Sequence, residues 1–135
     1  MLLCFGCIIM KKLIIKKSLA GLGLYTKIPF KKGEFVIEYT GKMITSREAD
    51  EKCGKYLFEI NSKWTIDGSG RNNLARYINH SCRPNCEAYI VGKKIKIMAK
   101  KNIEAGEELS YNYGKEYFDE FIKPFGCRCK KCQNN

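Results

Sequence analysis

Histidine and tryptophan occur once each in the 135 residues, proline three times, and no acidic residue precedes Glu34. A single histidine, His80, excludes any site that needs two imidazoles, whether hydrolytic or metal-binding. Long apolar runs are missing too. The first ten residues, "MLLCFGCIIM", fall well short of the roughly 18–20 apolar residues of a membrane helix. They lack a basic start and run into "KKLIIKK", so they make a poor secretory signal. Met10, placed just before Lys11, is a second candidate start. Phosphate loops ending in GKS or GKT are absent. "GLG" (21–23) lacks the third glycine and the following helix of a dinucleotide site. Two glycines spaced by one residue instead permit a tight turn and close approach to the backbone.

What is present points to one folded domain. The chain is 44% apolar and 12% aromatic, enough to bury a core at this length. The net charge of +11 is unevenly spread, with Lys11, Lys12, Lys16, Lys17, Lys27, Lys31 and Lys32 all ahead of Glu34. Such a basic segment suits contact with nucleic acid or another anionic partner. It equally suits a solvated edge that discourages strand pairing. Eight cysteines in a chain with no secretory signal favour metal binding over disulfides and an intracellular setting.

The pattern predicts many short strands and few helices. Strand-like runs are 22–28, 34–39, 56–60, 64–67, 86–91 and 94–99. The last two flank Gly92-Lys93, a hairpin turn, and "KIKIM" alternates as a half-buried strand does. Thr45 and Glu48 fit a capping box. Helices are expected at 72–79, capped by Asn, and at 115–122, where residues 117, 118, 121 and 122 form an apolar stripe.

Three segments carry chemistry. "CRCKKC" places Cys127, Cys129 and Cys132 within six residues, a set that can wrap one soft tetrahedral ion such as zinc. A closed site needs a fourth ligand, with Cys4, Cys7, Cys53, His80, Cys82 and Cys86 available. "RYINHSCRPNC" (76–86) pairs His80 with Cys82, but at this spacing the side chains should diverge, which argues against a thiol nucleophile and its base. "ELSYNYG" (108–114) puts Tyr111 and Tyr113 on one side of a strand, as core or as the lining of a pocket.

Taken in order, "GLGLYTKIPFKKGEFVIEYTG" (21–41), "YLF" (56–58), "IDGSGRNNLARYINHSCRPNCEA" (66–88), "IEAGEELSYNYG" (103–114) and "FGCRCKKC" (125–132) resemble the SET-domain protein-lysine methyltransferases. The likeness spans about Gly21 to Cys132. It implies a mainly β, β-clip-like fold of small twisted sheets with a C-terminal pseudoknot, in which the Tyr111–Tyr113 segment threads beside Asn79–His80. It divides the chain into a basic, apolar segment (1–20), a SET domain (21–114) and a post-SET helix and zinc-binding tail (115–135).

The resemblance further implies S-adenosyl-L-methionine as methyl donor and a protein lysine as acceptor, with a histone tail the leading substrate class. Leu22, Gly23, Tyr56, Arg76, Asn79, His80 and Phe125 match positions that contact the cofactor. Tyr113 matches the tyrosine at the transfer centre. Tyr111 matches the position that tunes how many methyl groups are added, and Tyr39 borders the lysine channel. One structural zinc ion is implied at Cys82, Cys127, Cys129 and Cys132, leaving Cys86 as a neighbour. The spacing CxCx2C is similar to that of SMYD-type members. Glu116, Asp119 and Glu120 are the acidic candidates for a basic peptide. Chromatin association follows if the substrate is a histone. A homodimer that completes the peptide groove and a catalytically weak zinc module on chromatin or nucleic acid are the remaining expectations.

Overall fold

The computed structural model describes residues 11–133. The apolar start, with Cys4, Cys7 and the choice between Met1 and Met10, lies outside the described residues. Among the described residues, ten short strands form three antiparallel sheets and one parallel pair. Strand β1 (Leu13–Ser18) pairs with β2 (Gly21–Thr26) along its whole length. The lysine-rich stretch around Lys16 is therefore one strand of a hairpin, although the sequence marked it only by charge.

The second sheet sets β9 (Lys94–Ala99) between β3 (Phe35–Tyr39) and β8 (Cys86–Val91). Being central, β9 buries alternate residues, with Ile95 and Ile97 inaccessible to solvent, as its polar-apolar alternation requires. Gly92 closes the β8–β9 turn with φ of 64°, a left-handed conformation that glycine adopts without a Cβ penalty. The third sheet is β4 (Lys42–Thr45), β6 (Trp64–Asp67) and β5 (Leu57–Glu59), with β6 in the middle. Leu24, Ile78, Ile95, Ile97, Ile103 and Leu109 form the driest part of a core shared by these layers.

Helical elements depart from the sequence pattern in informative ways. At α1 (Ser46–Lys52), the Thr45 hydroxyl accepts from the Glu48 N–H at 3.1 Å and donates to the Glu48 carboxylate at 3.2 Å. This keeps the forward half of the capping box. The 72–79 helix is a single 3-10 turn, Leu74–Tyr77, and Asn73 does not cap it. The buried Asn73 amide instead accepts from the Thr40 N–H at 3.0 Å and donates to the Gly68 carbonyl at 3.0 Å. Satisfying two buried loop groups outweighs one helix cap. The 115–122 segment begins as α2 (Lys115–Tyr117), widens into a π turn (Phe118–Ile122) and ends in a 3-10 turn (Lys123–Phe125). Pro124, which has no N–H, stands in that last turn. A final turn, α3 (Lys130–Gln133), closes the tail.

The connection that places the site is the parallel pair of β7 (Asn79–His80) and β10 (Ser110–Tyr111). These are the segments that the resemblance sets side by side. Ser81 N–H donates to the Tyr111 carbonyl at 3.2 Å. Asn85 fastens the crossing further, accepting from Ser110 N–H and donating to the Glu108 carbonyl, each at 2.9 Å.

Truncating Ile97, which is 0% exposed at the centre of β9, should lower stability by about 2–5 kcal/mol. Ile14→Ala on the exposed face of β1 should cost less than about 0.5 kcal/mol. Urea denaturation of both variants checks this; equal losses would contradict the placement of the core.

Candidate functional site

Two cavities share one wall. The first, of about 720 Å³, is lined by the β1–β2 turn (Ser18, Leu19, Ala20), by Asn79 and His80 of β7, and by the tail at Phe125. The second, of about 900 Å³, is lined by Tyr39, Phe58 and Tyr111 together with α1 and the 114–121 segment. Tyr56, Arg76, Tyr113, Tyr117 and Phe121 line both.

Aromatic stacking builds that wall. Ring centroids lie 4.8 Å apart for Tyr111 and Tyr113, 4.8 Å for Tyr113 and Tyr117, and 4.7 Å for Tyr117 and Phe121. Tyr39 and Tyr111 are joined through Phe58, at 5.3 and 6.3 Å. Only Ser110 and Tyr111 have strand geometry, so Tyr113 reaches the same side from beyond the strand. Tyr111 belongs to the core, and Tyr113 packs on it while facing both cavities. Burial pushes the phenols of Tyr39, Tyr111 and Tyr113 well above their usual range, and neighbouring phenols add to the rise. All three are therefore neutral hydroxyls at physiological pH. Tyr113 donates to the Ile78 carbonyl, and Tyr39 donates to the Tyr56 carbonyl at 2.8 Å.

Arg76 is held over the Tyr56 ring at 4.2 Å and the Tyr77 ring at 5.2 Å, and it donates to the Ser69 carbonyl. Its Nε is the one buried side-chain polar atom without a hydrogen-bond partner among the described residues. Phe125, 81% exposed, offers an uncovered ring at the first cavity. Leu22 and Gly23 do not line that cavity. The Leu22 carbonyl accepts from the Asn79 amide at 2.9 Å, and a Cβ at Gly23 would run into the Glu108 carboxylate and Ser18. The close approach that Gly23 permits is thus made by Glu108.

Glu108 itself escaped the sequence reading. Its carboxylate accepts from Ser18 at 2.8 Å and from the Asn79 amide at 2.9 Å, tying the hairpin turn to β7. Its one sequence signal is a charge directly before the fully buried Leu109. Tyr117 and Phe121 were legible only as a helical stripe. Of the acidic candidates, Glu116 and Glu120 line the second cavity, whereas Asp119 is paired with Lys115 at 2.7 Å.

The four thiols of Cys82, Cys127, Cys129 and Cys132 lie within 4.8 Å of one another. Cys82 Sγ is 4.0 Å from that of Cys127 and 3.8 Å from that of Cys132. A tetrahedral zinc with Zn–S bonds of about 2.3 Å needs sulfur–sulfur edges of about 3.8 Å, so this donor set fits that ion. Burial raises the thiols of Cys82 and Cys127, the latter to about 12, whereas at Cys129 hydrogen bonds from the N–H groups of Cys82 and Cys132 and from the thiols of Cys127 and Cys132 outweigh burial and bring the pKa down to about 6. That favours the thiolate a metal requires. Cys86 is different: it is inaccessible, starts β8, and burial pushes its thiol up to about 12.

His80 and Cys82 do not diverge as expected, since His80 Nε2 comes within 3.5 Å of Cys82 Sγ. Nδ1 of the same ring accepts from the Tyr113 N–H at 3.1 Å. His80 therefore stands between the thiol cluster and Tyr113, with Cys82 committed to the cluster rather than free as a nucleophile. Burial lowers the pKa of His80, consistent with a neutral ring whose Nδ1 accepts. Metal analysis of purified protein should give about one zinc per chain, the stoichiometry of a four-thiolate site. Cys82→Ser should lower that content and Cys86→Ser should leave it; zinc-free wild type, or equal loss in both variants, would contradict the assignment.

Residues 21–114 match the SET domain family. The chain is 38% identical over 132 residues to the histone-lysine N-methyltransferase trithorax of Drosophila virilis, covering 89% of this chain and 3% of that protein. It is 41% identical over 120 residues to the histone-lysine N-methyltransferase ATXR7 of Arabidopsis thaliana, covering 79% and 8%. It superposes on a chain in the crystal structure of the Chaetomium thermophilum polycomb repressive complex 2 with a TM-score of 0.70 at 36% identity, covering 76% of this chain and 15% of the other. The chain thus spans a small fraction of the length of these curated relatives. With the family match covering most of its residues, the chain belongs to the SET-domain lysine methyltransferase family.

Proposed function

We propose that this chain is an S-adenosyl-L-methionine-dependent protein-lysine N-methyltransferase acting on a histone tail, and that it is chromatin-associated. The observation that carries this is the shared aromatic wall. A transferase needs a cofactor cleft and a peptide cleft that meet at one point, and Tyr113 lines both cavities.

The first cavity suits the cofactor in size. Asn79, His80, Arg76, Tyr56 and Phe125 line it, and Leu22 and Gly23 support the Asn79 amide and Glu108 from behind. The unpartnered Arg76 Nε and the open Phe125 ring are the features a bound ligand would satisfy. When bound, S-adenosyl-L-methionine supplies the methyl group and a positive sulfonium that disfavours an ammonium beside it. The second cavity, with Glu116 and Glu120 on its wall, is assigned to the peptide. The zinc tail, which begins at residue 115 in this division of the chain, closes the cofactor side of the 21–114 domain through its residues up to 133.

A lysine amine is nucleophilic only when neutral, and its free pKa is near 10.4. Burial among Tyr111, Tyr113 and Tyr117 disfavours the ammonium and lowers that value, so no protein base is required. The neutral Tyr113 hydroxyl and the Ile78 carbonyl it meets align the amine. The Tyr111 hydroxyl holds the amine or a water and restricts room for added methyl groups, which favours mono-methyl-lysine as product, and Tyr39 borders the channel.

A labelled-cofactor assay on core histones tests the reading. Tyr113→Phe should lower turnover by roughly 100-fold or more while cofactor affinity, followed by calorimetry, stays within about twofold. Tyr111→Phe should move products toward di- and trimethyl-lysine by peptide mass spectrometry. Wild-type rates in the first variant and an unchanged product mixture in the second would sink these roles. Inactive wild type that still binds histones would favour the catalytically weak module instead.

A further inference from the structure

We propose that the mouth of the first cavity is a docking surface for duplex DNA, a reading that rests on the histone-directed function above. Arg83, Lys101, Arg128, Lys130 and Lys131 all line that cavity and are exposed. They come from three separate segments: the loop after β7, the turn after β9 and the thiol-rich tail. Like charges gathered from distant parts of a chain repel unless an anion joins them. The two ion pairs among the described residues, Lys52–Asp67 and Lys115–Asp119, involve none of these five. Among the described residues, the only carboxylates lining the cavity are those of Glu107 and Glu108. Glu108 is engaged by Ser18 and Asn79, and Glu107 accepts from the Glu104 N–H.

Neither bound partner of the proposed reaction explains these cations. The methyl donor has no phosphate and carries a single carboxylate beside its sulfonium and ammonium, so it accounts for at most one of these five cations. A basic peptide is disfavoured there, and the second cavity already offers Asp50, Glu59, Glu116 and Glu120 for one. A polyanion fits. Single-stranded nucleic acid is bound by several stacking rings, whereas among the described residues Phe125 is the lone strongly exposed aromatic at this mouth. Duplex DNA needs only a cluster of cations facing its phosphates. An acidic groove and a basic mouth on one small domain suit a basic tail leaving a DNA-wrapped particle.

Fluorescence anisotropy with a labelled 20-base-pair duplex of mixed sequence tests this. Wild type should bind, and Lys101→Gln/Lys130→Gln/Lys131→Gln should weaken binding tenfold or more. At roughly 0.9 per phosphate released, the salt slope should fall by about 3. Should that variant lose zinc or melt early, Arg83→Gln/Lys101→Gln decides, with a slope lower by about 2 on the same scale. No duplex binding by wild type, or a folded variant with unchanged affinity and slope, overturns the proposal. So does tighter binding to phosphatidylserine vesicles than to duplex. Methyl transfer by wild type to a free histone-tail peptide is measured in parallel. Duplex binding without transfer defeats the proposed function alone, and transfer without duplex binding defeats this inference alone.

Discussion

Everything in the site depends on two residues of parallel pairing, Asn79–His80 beside Ser110–Tyr111. A pairing this short would not persist alone. It is held because the groups around it are half-buried or buried and have nowhere else to bond. Asn85 takes the Ser110 N–H and the Glu108 carbonyl, Ser81 takes the Tyr111 carbonyl, and His80 takes the Tyr113 N–H. Moving any of these strands would leave several polar groups unpaired at once, each costing about 1–3 kcal/mol. The crossing therefore fixes Tyr113 against Ile78 and the Asn79 amide against Leu22 together.

The thiol cluster extends the same constraint to the end of the chain. Cys82 is two residues beyond β7, so whatever holds Cys127, Cys129 and Cys132 to it also holds Phe125 over the first cavity. Through His80, which lies between Cys82 Sγ and the Tyr113 backbone, the tail is coupled to the aromatic wall. The chemistry assigned to that wall is modest. It asks for burial, neutral hydroxyls and alignment, and burial of the tyrosines keeps their hydroxyls protonated.

How much of this was legible depends on the range of the interaction. Alternation in "KIKIM" and the Gly92 turn gave β8 and β9 to the residue, because period-two burial and a left-handed turn are local. The Asn73 cap failed because a buried amide found partners 33 residues upstream and 5 residues away, at Thr40 and Gly68, which no local rule anticipates. Strand β1 was hidden because its burial pattern exposes most of its residues, so it carries little alternation. The CRCKKC run announced a metal site by itself, but Cys82 as fourth member came from family resemblance. Glu108, which ties the β1–β2 hairpin to β7, was invisible because its partners Ser18 and Asn79 lie 90 and 29 residues away.

The central claim is that methyl transfer occurs against a wall of neutral phenols, with the substrate amine as the sole titrating group. The most direct measurement is the pH dependence of single-turnover transfer to two peptides, one with lysine and one with its less basic analogue γ-thialysine. The account predicts a rising limb that moves to lower pH with the analogue, and no falling limb up to about pH 10, since burial holds the tyrosines above their usual range. A limb that stays in place for both peptides would assign the titration to a protein group and contradict the account.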